Sequence, residues 1–127
     1  MYIHYNPNPH DRSVDDCVVR AISKLFNQSW HDSFWQLSVI ADKLGNLPNG
    51  DDVWGSYLKS KGFRRFILPD TCPDCYTVKD FCLDYPYGTY LLATGSHVVA
   101  VINGDYYDAW DSGNEAPIYY WTRRKEK

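Results

Sequence analysis

The chain has 127 residues, of which 44% are hydrophobic, so it is long and apolar enough to bury a core and is not an intrinsically disordered segment. Its formal net charge is −3, which argues against a nucleic-acid-binding module. The one notable basic cluster is at the C-terminus and is typical of a solvated chain end: Arg123, Arg124, Lys125 and Lys127. These features predict one domain over residues 1–127.

The N-terminal segment MYIHYNPNPHD lacks the basic start and apolar run of a signal peptide. No apolar stretch approaches the ~20 residues that span a bilayer. We therefore expect a cytoplasmic protein that does not enter a membrane. In a reducing cytoplasm the cysteines are expected to be thiols, ligands or catalysts rather than structural disulfides.

Four capping residues each precede an aspartate by three positions, a pattern that satisfies free N–H groups at a helix start. These caps are Ser13, Ser29, Asn49 and Thr77. They predict four helices, which run from about Val14 to Phe26, Trp30 to Lys43, Asp51 to Lys61 and Val78 to Leu83.

After Pro86 the pattern changes to β-branched and aromatic residues with a period of two, which predicts strands. The expected strands are Thr89–Thr94, His97–Ile102, Tyr106–Trp110 and Ile118–Thr122, with Arg65–Leu68 as a further strand. Asn103-Gly104 predicts a two-residue hairpin turn, since both residues tolerate positive φ. The fold class is therefore α+β, with N-terminal helices packed on a C-terminal antiparallel sheet.

Cys17 and His97 are the residues that point to chemistry. Cys17 is expected in the first turns of the first helix, where backbone dipoles favour a thiolate. His97 opens the most apolar strand, which can hold an imidazole rigidly. A nucleophile and a base are thus available from distant segments, and aspartates follow on the next strand.

The segments DDCVVRAI, GSHVVAV and Trp110-Asp111-Ser112 resemble the papain-like cysteine peptidases. The likeness is closest to the minimal branch that includes the peptidase domains of bacteriocin-processing transporters and the staphylococcal papain-type proteases. In that superfamily a cysteine begins the first long helix, a histidine begins a strand, and an Asn or Asp follows the next strand. The resemblance implies a papain-like domain that acts on a protein or peptide and needs no cofactor or metal. Short domains of this kind also resemble proteins carried by phages and mobile elements.

Two aspartates compete for the role of the acid that orients His97. A strict Asn103-Gly104 turn would place Val99 opposite Asp108, on the same face as His97, and would turn Asp111 to the other face. The resemblance favours Asp111, because the family's acid follows the strand beside a Trp or Ser. We therefore expect Asp111, with Asp108 as the alternative.

The oxyanion donor is the point at which the chain departs from the family. Papain-like enzymes place a glutamine upstream of the cysteine, and no Gln precedes Cys17. Asn8 or Asn6 could supply the amide. The residues are compatible with a peptidase or amidase that forms a thioester, with an acyltransferase, or with an inactive papain-like module that binds a protein.

A competing motif is Cys72-Pro73-Asp74-Cys75, with Cys82 seven residues further on. Two cysteines at this spacing form half of a zinc site, but no second pair completes it. Cys72, Cys75 and Cys82 are therefore only weak candidates for metal ligands, and we predict no metal.

Overall fold

A computed structural model describes residues 1–123 and confirms the α+β class. Arg124, Lys125 and Lys127 of the basic C-terminus lie outside the described residues. The helices are α1 (Cys17–Leu25), α2 (Trp30–Leu44), α3 (Asp51–Ser60) and α4 (Val78–Asp84). The strands are β1 (Tyr2–His4), β2 (Phe63–Ile67), β3 (Thr89–Ala93), β4 (Val98–Ile102), β5 (Asp105–Asp108) and β6 (Tyr119–Arg123).

Two of the four expected helix starts have the predicted cap. Ser29 accepts a hydrogen bond from the backbone of Asp32, and Thr77 forms a reciprocal capping box with Asp80. The other two expectations were wrong. Gly50 rather than Asn49 caps α3, and α1 begins at Cys17 after Asp16, three residues later than expected from Ser13.

The strands form one mixed sheet in the order β1-β5-β4-β3-β6-β2. Every strand pair except β1 with β5 is antiparallel, in agreement with the expectation for the C-terminal half. The Asn103-Gly104 turn pairs Ile102 with Asp105, as its sequence predicts, and both turn residues have positive φ. Strand β1 was missed because three residues are too short for an alternating pattern to stand out.

Helices cover both faces of the sheet, so its central strands are buried on both sides. On one face, residues of α1, α2 and α3 pack against the sheet residues Leu91, Ala93, Val98 and Ala100. On the other face, α4 packs against a second cluster that includes Leu92, Val99 and Val101. This double burial explains why β4 is apolar at nearly every position instead of alternating. We call these sides the α1 face and the α4 face.

No helix within residues 1–123 has the length and apolar character that a bilayer crossing requires.

Candidate active site

Cys17 is the first residue of α1. It is partly buried and packs against the core of the α1 face. At this position its backbone N–H has no acceptor within the helix and points out of the helix end. Cys17 lines a cavity of about 150 Å³ whose wall also includes His97 and the turn Thr94–Ser96. The fold therefore brings the two predicted residues, which lie 80 positions apart in the sequence, to one cleft.

His97 directly precedes β4 and is held there by a tight turn. Its backbone N–H donates to Oγ1 of Thr94 over 3.0 Å, and its carbonyl accepts from the Thr94 N–H over 2.8 Å. The imidazole is 11% exposed, and its Nε2 lies 2.6 Å from Oδ2 of Asp108. Cys17 lines the same cavity and also acts on the ring, and because Nε2 serves Asp108, Nδ1 is the ring nitrogen left for the sulfur. The indole of Trp110 covers the ring, with 4.8 Å between centroids.

These partners favour the protonated imidazole. Burial by itself disfavours the charged ring, but the hydrogen bonds and charges of Asp108 and Cys17 raise the pKa of His97 to about 9. At neutral pH His97 is therefore an imidazolium that lies beside the Cys17 sulfur and is paired with the Asp108 carboxylate. This is the charge arrangement of an activated cysteine nucleophile.

Asp108 ends β5 and is only 1% exposed. Its Oδ2 accepts hydrogen bonds from His97 and from Oγ of Ser112, the latter over 2.7 Å. Its Oδ1 accepts from Nη2 of Arg20 over 2.9 Å and from the backbone N–H of Ala109 over 2.8 Å. Four donors therefore occupy the four lone-pair directions of one carboxylate. Burial would raise the pKa of Asp108, but the bonds from His97 and Ser112 outweigh it and hold that pKa below its usual value.

Asp111 does not reach His97, which corrects the assignment favoured by the family resemblance. Regular pairing ends at Asp108, and the chain then turns so that Ser112, not Asp111, comes back to the Asp108 carboxylate. Oδ1 of Asp111 instead accepts hydrogen bonds from the hydroxyl of Tyr106 and the backbone N–H of Gly113. Asp108, the alternative taken from the two-residue turn, is the aspartate whose carboxylate reaches His97.

Asn6 and Asn8 are likewise not at the cleft. Oδ1 of Asn6 accepts from the Asn8 backbone, Oδ1 of Asn8 accepts from the His10 backbone, and Nδ2 of Asn6 donates to the carbonyl of Arg12. Both side chains therefore stabilise turns of their own loop, as Asn-Pro sequences commonly do. Of the described residues that line the Cys17 cavity, none precedes Asp15. Asn49 is the asparagine among the described residues that line this cavity.

Comparison of the chain with protein-family models, with curated proteins and with solved structures gave no match. The function is therefore inferred from the geometry of the site.

The cysteines of the Cys72–Cys75 motif form a disulfide with each other, which corrects the expectation of free thiols. Residues three apart in a turn bring their Cα atoms within 4.1 Å, so the two sulfur atoms meet without help from the rest of the fold. Cys82 is separate from them and buried in α4. Within residues 1–123, no group of three or more His, Cys, Asp or Glu side chains could hold a metal ion.

The hydrogen bonds that connect the Asp108 carboxylate to Arg20 and α2 were not predicted from the sequence. Arg20 is 6% exposed and bridges Asp16 to Asp108, while Nε1 of Trp30 donates to Oδ2 of Asp16 over 2.8 Å. These bonds also explain why the Asp16 side chain does not cap α1. A signal was available, since a charged residue inside the apolar run Val18–Ile22 requires a buried partner.

Proposed function

We propose that this chain is a cysteine hydrolase, a peptidase or amidase of papain-like design, with Cys17 as nucleophile, His97 as base and Asp108 as the orienting acid. One observation carries the proposal. One imidazole, largely buried, lies in a common cleft with a cysteine at a helix start and hydrogen-bonds a carboxylate whose four acceptor positions are all filled.

The chemistry follows from the positions of these groups. The Cys17 sulfur, having given its proton to His97, attacks the carbonyl carbon of the substrate and forms a tetrahedral intermediate. As that intermediate collapses, the bond to the leaving group breaks and the His97 imidazolium donates its proton to the leaving nitrogen. A water molecule then gives a proton to His97 and its hydroxide to the thioester carbon, after which the C–S bond breaks and His97 returns the proton to the Cys17 sulfur. The products are an acid and the regenerated thiol, so atoms and protons balance.

Asp108 would act through His97 rather than on the substrate. Its bond to Nε2 fixes the ring and leaves Nδ1 for the sulfur, and its charge stabilises the imidazolium. The indole of Trp110, itself 46% exposed, packs on the His97 ring and limits the access of water from that side. Both effects favour transfer of the proton from the Cys17 sulfur to His97 and then from His97 to the leaving group.

The intermediate also needs donors for its oxyanion. The backbone N–H of Cys17 is one, because the first turn of α1 leaves it without an acceptor. The side-chain amide of Asn49, which lines the same cavity, is the second candidate and would take the place of the family's upstream glutamine.

The order of the elements supports the papain-like assignment. A helix begins at the nucleophile, the base comes immediately before the strand β4, and the acid ends the next strand, β5. This order extends from the N-terminal helix to the C-terminal half of the chain. A protein or peptide is the substrate class that such a cleft would take.

The test is formation of an acyl-enzyme with p-nitrophenyl acetate, followed by mass mapping of the acetylated residue, together with iodoacetamide labelling across pH. Wild-type protein is expected to acetylate and to label at Cys17 rapidly below pH 7. The His97→Ala variant is expected to lose both behaviours, since the base is gone. Slow labelling of wild-type Cys17, at the rate of an ordinary thiol, would overturn the proposal in favour of an inactive binding module.

A further inference from the structure

Arg20 is a buried arginine in the second turn of α1, and the catalytic groups proposed above leave it without a role. Its side chain is 7% exposed, and burial of a guanidinium is costly unless charged partners compensate it. Two carboxylates do so here. Nη1 donates to Oδ1 of Asp16, and Nη2 donates to Oδ1 of Asp108 over 2.9 Å.

The hydrogen bond from Arg20 uses one oxygen of the Asp108 carboxylate, so the two oxygens have different partners. Oδ1 takes Arg20 and the Ala109 backbone, while Oδ2 takes His97 and Ser112. Rotation of the carboxylate would break the bond to Arg20, the one charged donor on Oδ1. Arg20 therefore holds Oδ2 toward the imidazole.

The other end of Arg20 is also fixed. Asp16 accepts from Arg20 with one oxygen and from Nε1 of Trp30 with the other, so its carboxylate is anchored to α2. Arg20 and Cys17 belong to the same helix, three residues apart. A continuous set of hydrogen bonds thus connects the helix that carries the thiol to the strand end that carries the acid.

We propose that Arg20 is a positioning residue, which fixes the Asp108 carboxylate toward His97 and joins this acid to the helix that carries Cys17. The inference rests on the proposed function, since it assigns a role within that site. It predicts that loss of Arg20 slows acylation of Cys17 without changing how the substrate binds.

The experiment uses Arg20→Gln, Arg20→Lys and the control Lys24→Gln. Lys24 is a suitable control because it lies one turn further along α1, and its ammonium contacts the rings of Tyr5 and Tyr107 rather than Asp108. Arg20→Gln leaves the buried carboxylates of Asp16 and Asp108 without their shared cation. It is therefore paired with Arg20→Lys, which keeps the positive charge but lacks the planar guanidinium that reaches both carboxylates. Two readouts are measured: acylation of Cys17 by p-nitrophenyl acetate, and the proton resonance of the His97 Nε2–H.

In Arg20→Gln the acylation rate at saturating ester is expected to fall about 10- to 100-fold, the range for loss of a supporting partner, with half-saturation within about two-fold. The downfield Nε2–H resonance should weaken or move upfield. Arg20→Lys should recover part of the rate, and Lys24→Gln should match wild type. Retention of rate and resonance in Arg20→Gln, or in Arg20→Lys if the glutamine variant is unfolded, would overturn the inference. An equal loss in Lys24→Gln would also overturn it, because packing of α1 would then explain the effect.

Failure of the proposed function gives a different result. If wild-type Cys17 is not acylated at all, the hydrolase proposal fails. The Nε2–H resonance of wild type and Arg20→Gln still reports whether Arg20 holds Asp108 against His97. An unchanged resonance then overturns the positioning role, and a lost resonance supports it as a property of a binding module.

Discussion

Two pairs of a free cysteine and an aspartate, Cys17 with Asp108 and Cys82 with Asp111, differ in chemistry. Cys17, which packs on the α1 face, and Asp108 are both partners of His97. On the α4 face, Cys82 and Asp111 line another cavity with Tyr106. Burial raises the pKa of the Cys82 thiol, which keeps it protonated and unreactive. A candidate catalytic site is therefore distinguished by a base that lies between the thiol and the carboxylate, and not by either group alone.

The largest contrast is expected between the two thiols. Cys17→Ser should abolish acetylation by p-nitrophenyl acetate, a loss of about 10⁴-fold or more, because the nucleophile of a triad acts as a unit with its base. Cys82→Ser should keep the wild-type rate within about two-fold, since Cys82 lies on the other face. Burst kinetics of p-nitrophenol release measure both. Equal loss in the two variants would remove the distinction between the faces.

The two aspartates should differ next. Asp108→Asn is expected to lower acylation about 10³- to 10⁴-fold, since an amide no longer stabilises the imidazolium or selects its tautomer. Asp111→Asn should change the rate less than about three-fold, because Asp111 hydrogen-bonds Tyr106 and Gly113 instead of His97. Steady-state rates of the two variants provide the comparison. A greater loss in Asp111→Asn would restore the assignment that the family resemblance favoured.

A third contrast concerns pH. The pKa of His97 is raised from 6.5 to about 9, so its contribution to stability is fully present below pH 6.5 and is lost as pH rises through about 9. The shift corresponds to roughly 3 kcal/mol. Asp108, whose pKa is lowered, contributes above pH 3.8 and loses that contribution as pH falls through its lowered pKa. Urea unfolding at pH 6 and pH 10 should therefore show a larger destabilisation by His97→Gln at pH 6.

The exposed His31 provides a matched control for that experiment. His31→Gln should leave the free energy of unfolding nearly unchanged at both pH values. If His97→Gln behaves in the same way, the charged pair with Asp108 does not form in solution.

The smallest effect is expected from the disulfide, which belongs to neither site. Replacement of Cys72 and Cys75 by Ser should cost at most about 2 kcal/mol, because the closed loop is short. Acylation of Cys17 should stay within about two-fold of wild type. Thermal unfolding and burst kinetics of the double variant measure these effects. A loss of acylation would connect this loop to the α1 face.

The sequence predicted the parts of the fold that depend on local energies. The caps at Ser29 and Thr77 and the Asn103-Gly104 turn agree with the structure, because each depends on residues close in the chain. The start of α1 was predicted less well. Asp16 makes its bonds to Arg20 and Trp30, and such tertiary partners override a local capping pattern.

The sequence by itself pointed to Cys17 and His97 as candidates, since one was expected near a helix start and the other before the most apolar strand. It left Asp108 and Asp111 as alternatives, because the choice depends on where β5 stops pairing and on the path of the following loop. The partners of Arg20, Ser112 and Asn49 were established only once the chain had folded. Their positions depend on contacts between α1, the end of β5 and the loop before α3, and residue spacing does not name the partner in such contacts. Local preferences thus determined most of the elements and pointed to two candidate groups, while long-range packing and hydrogen bonding decided which residues surround those groups.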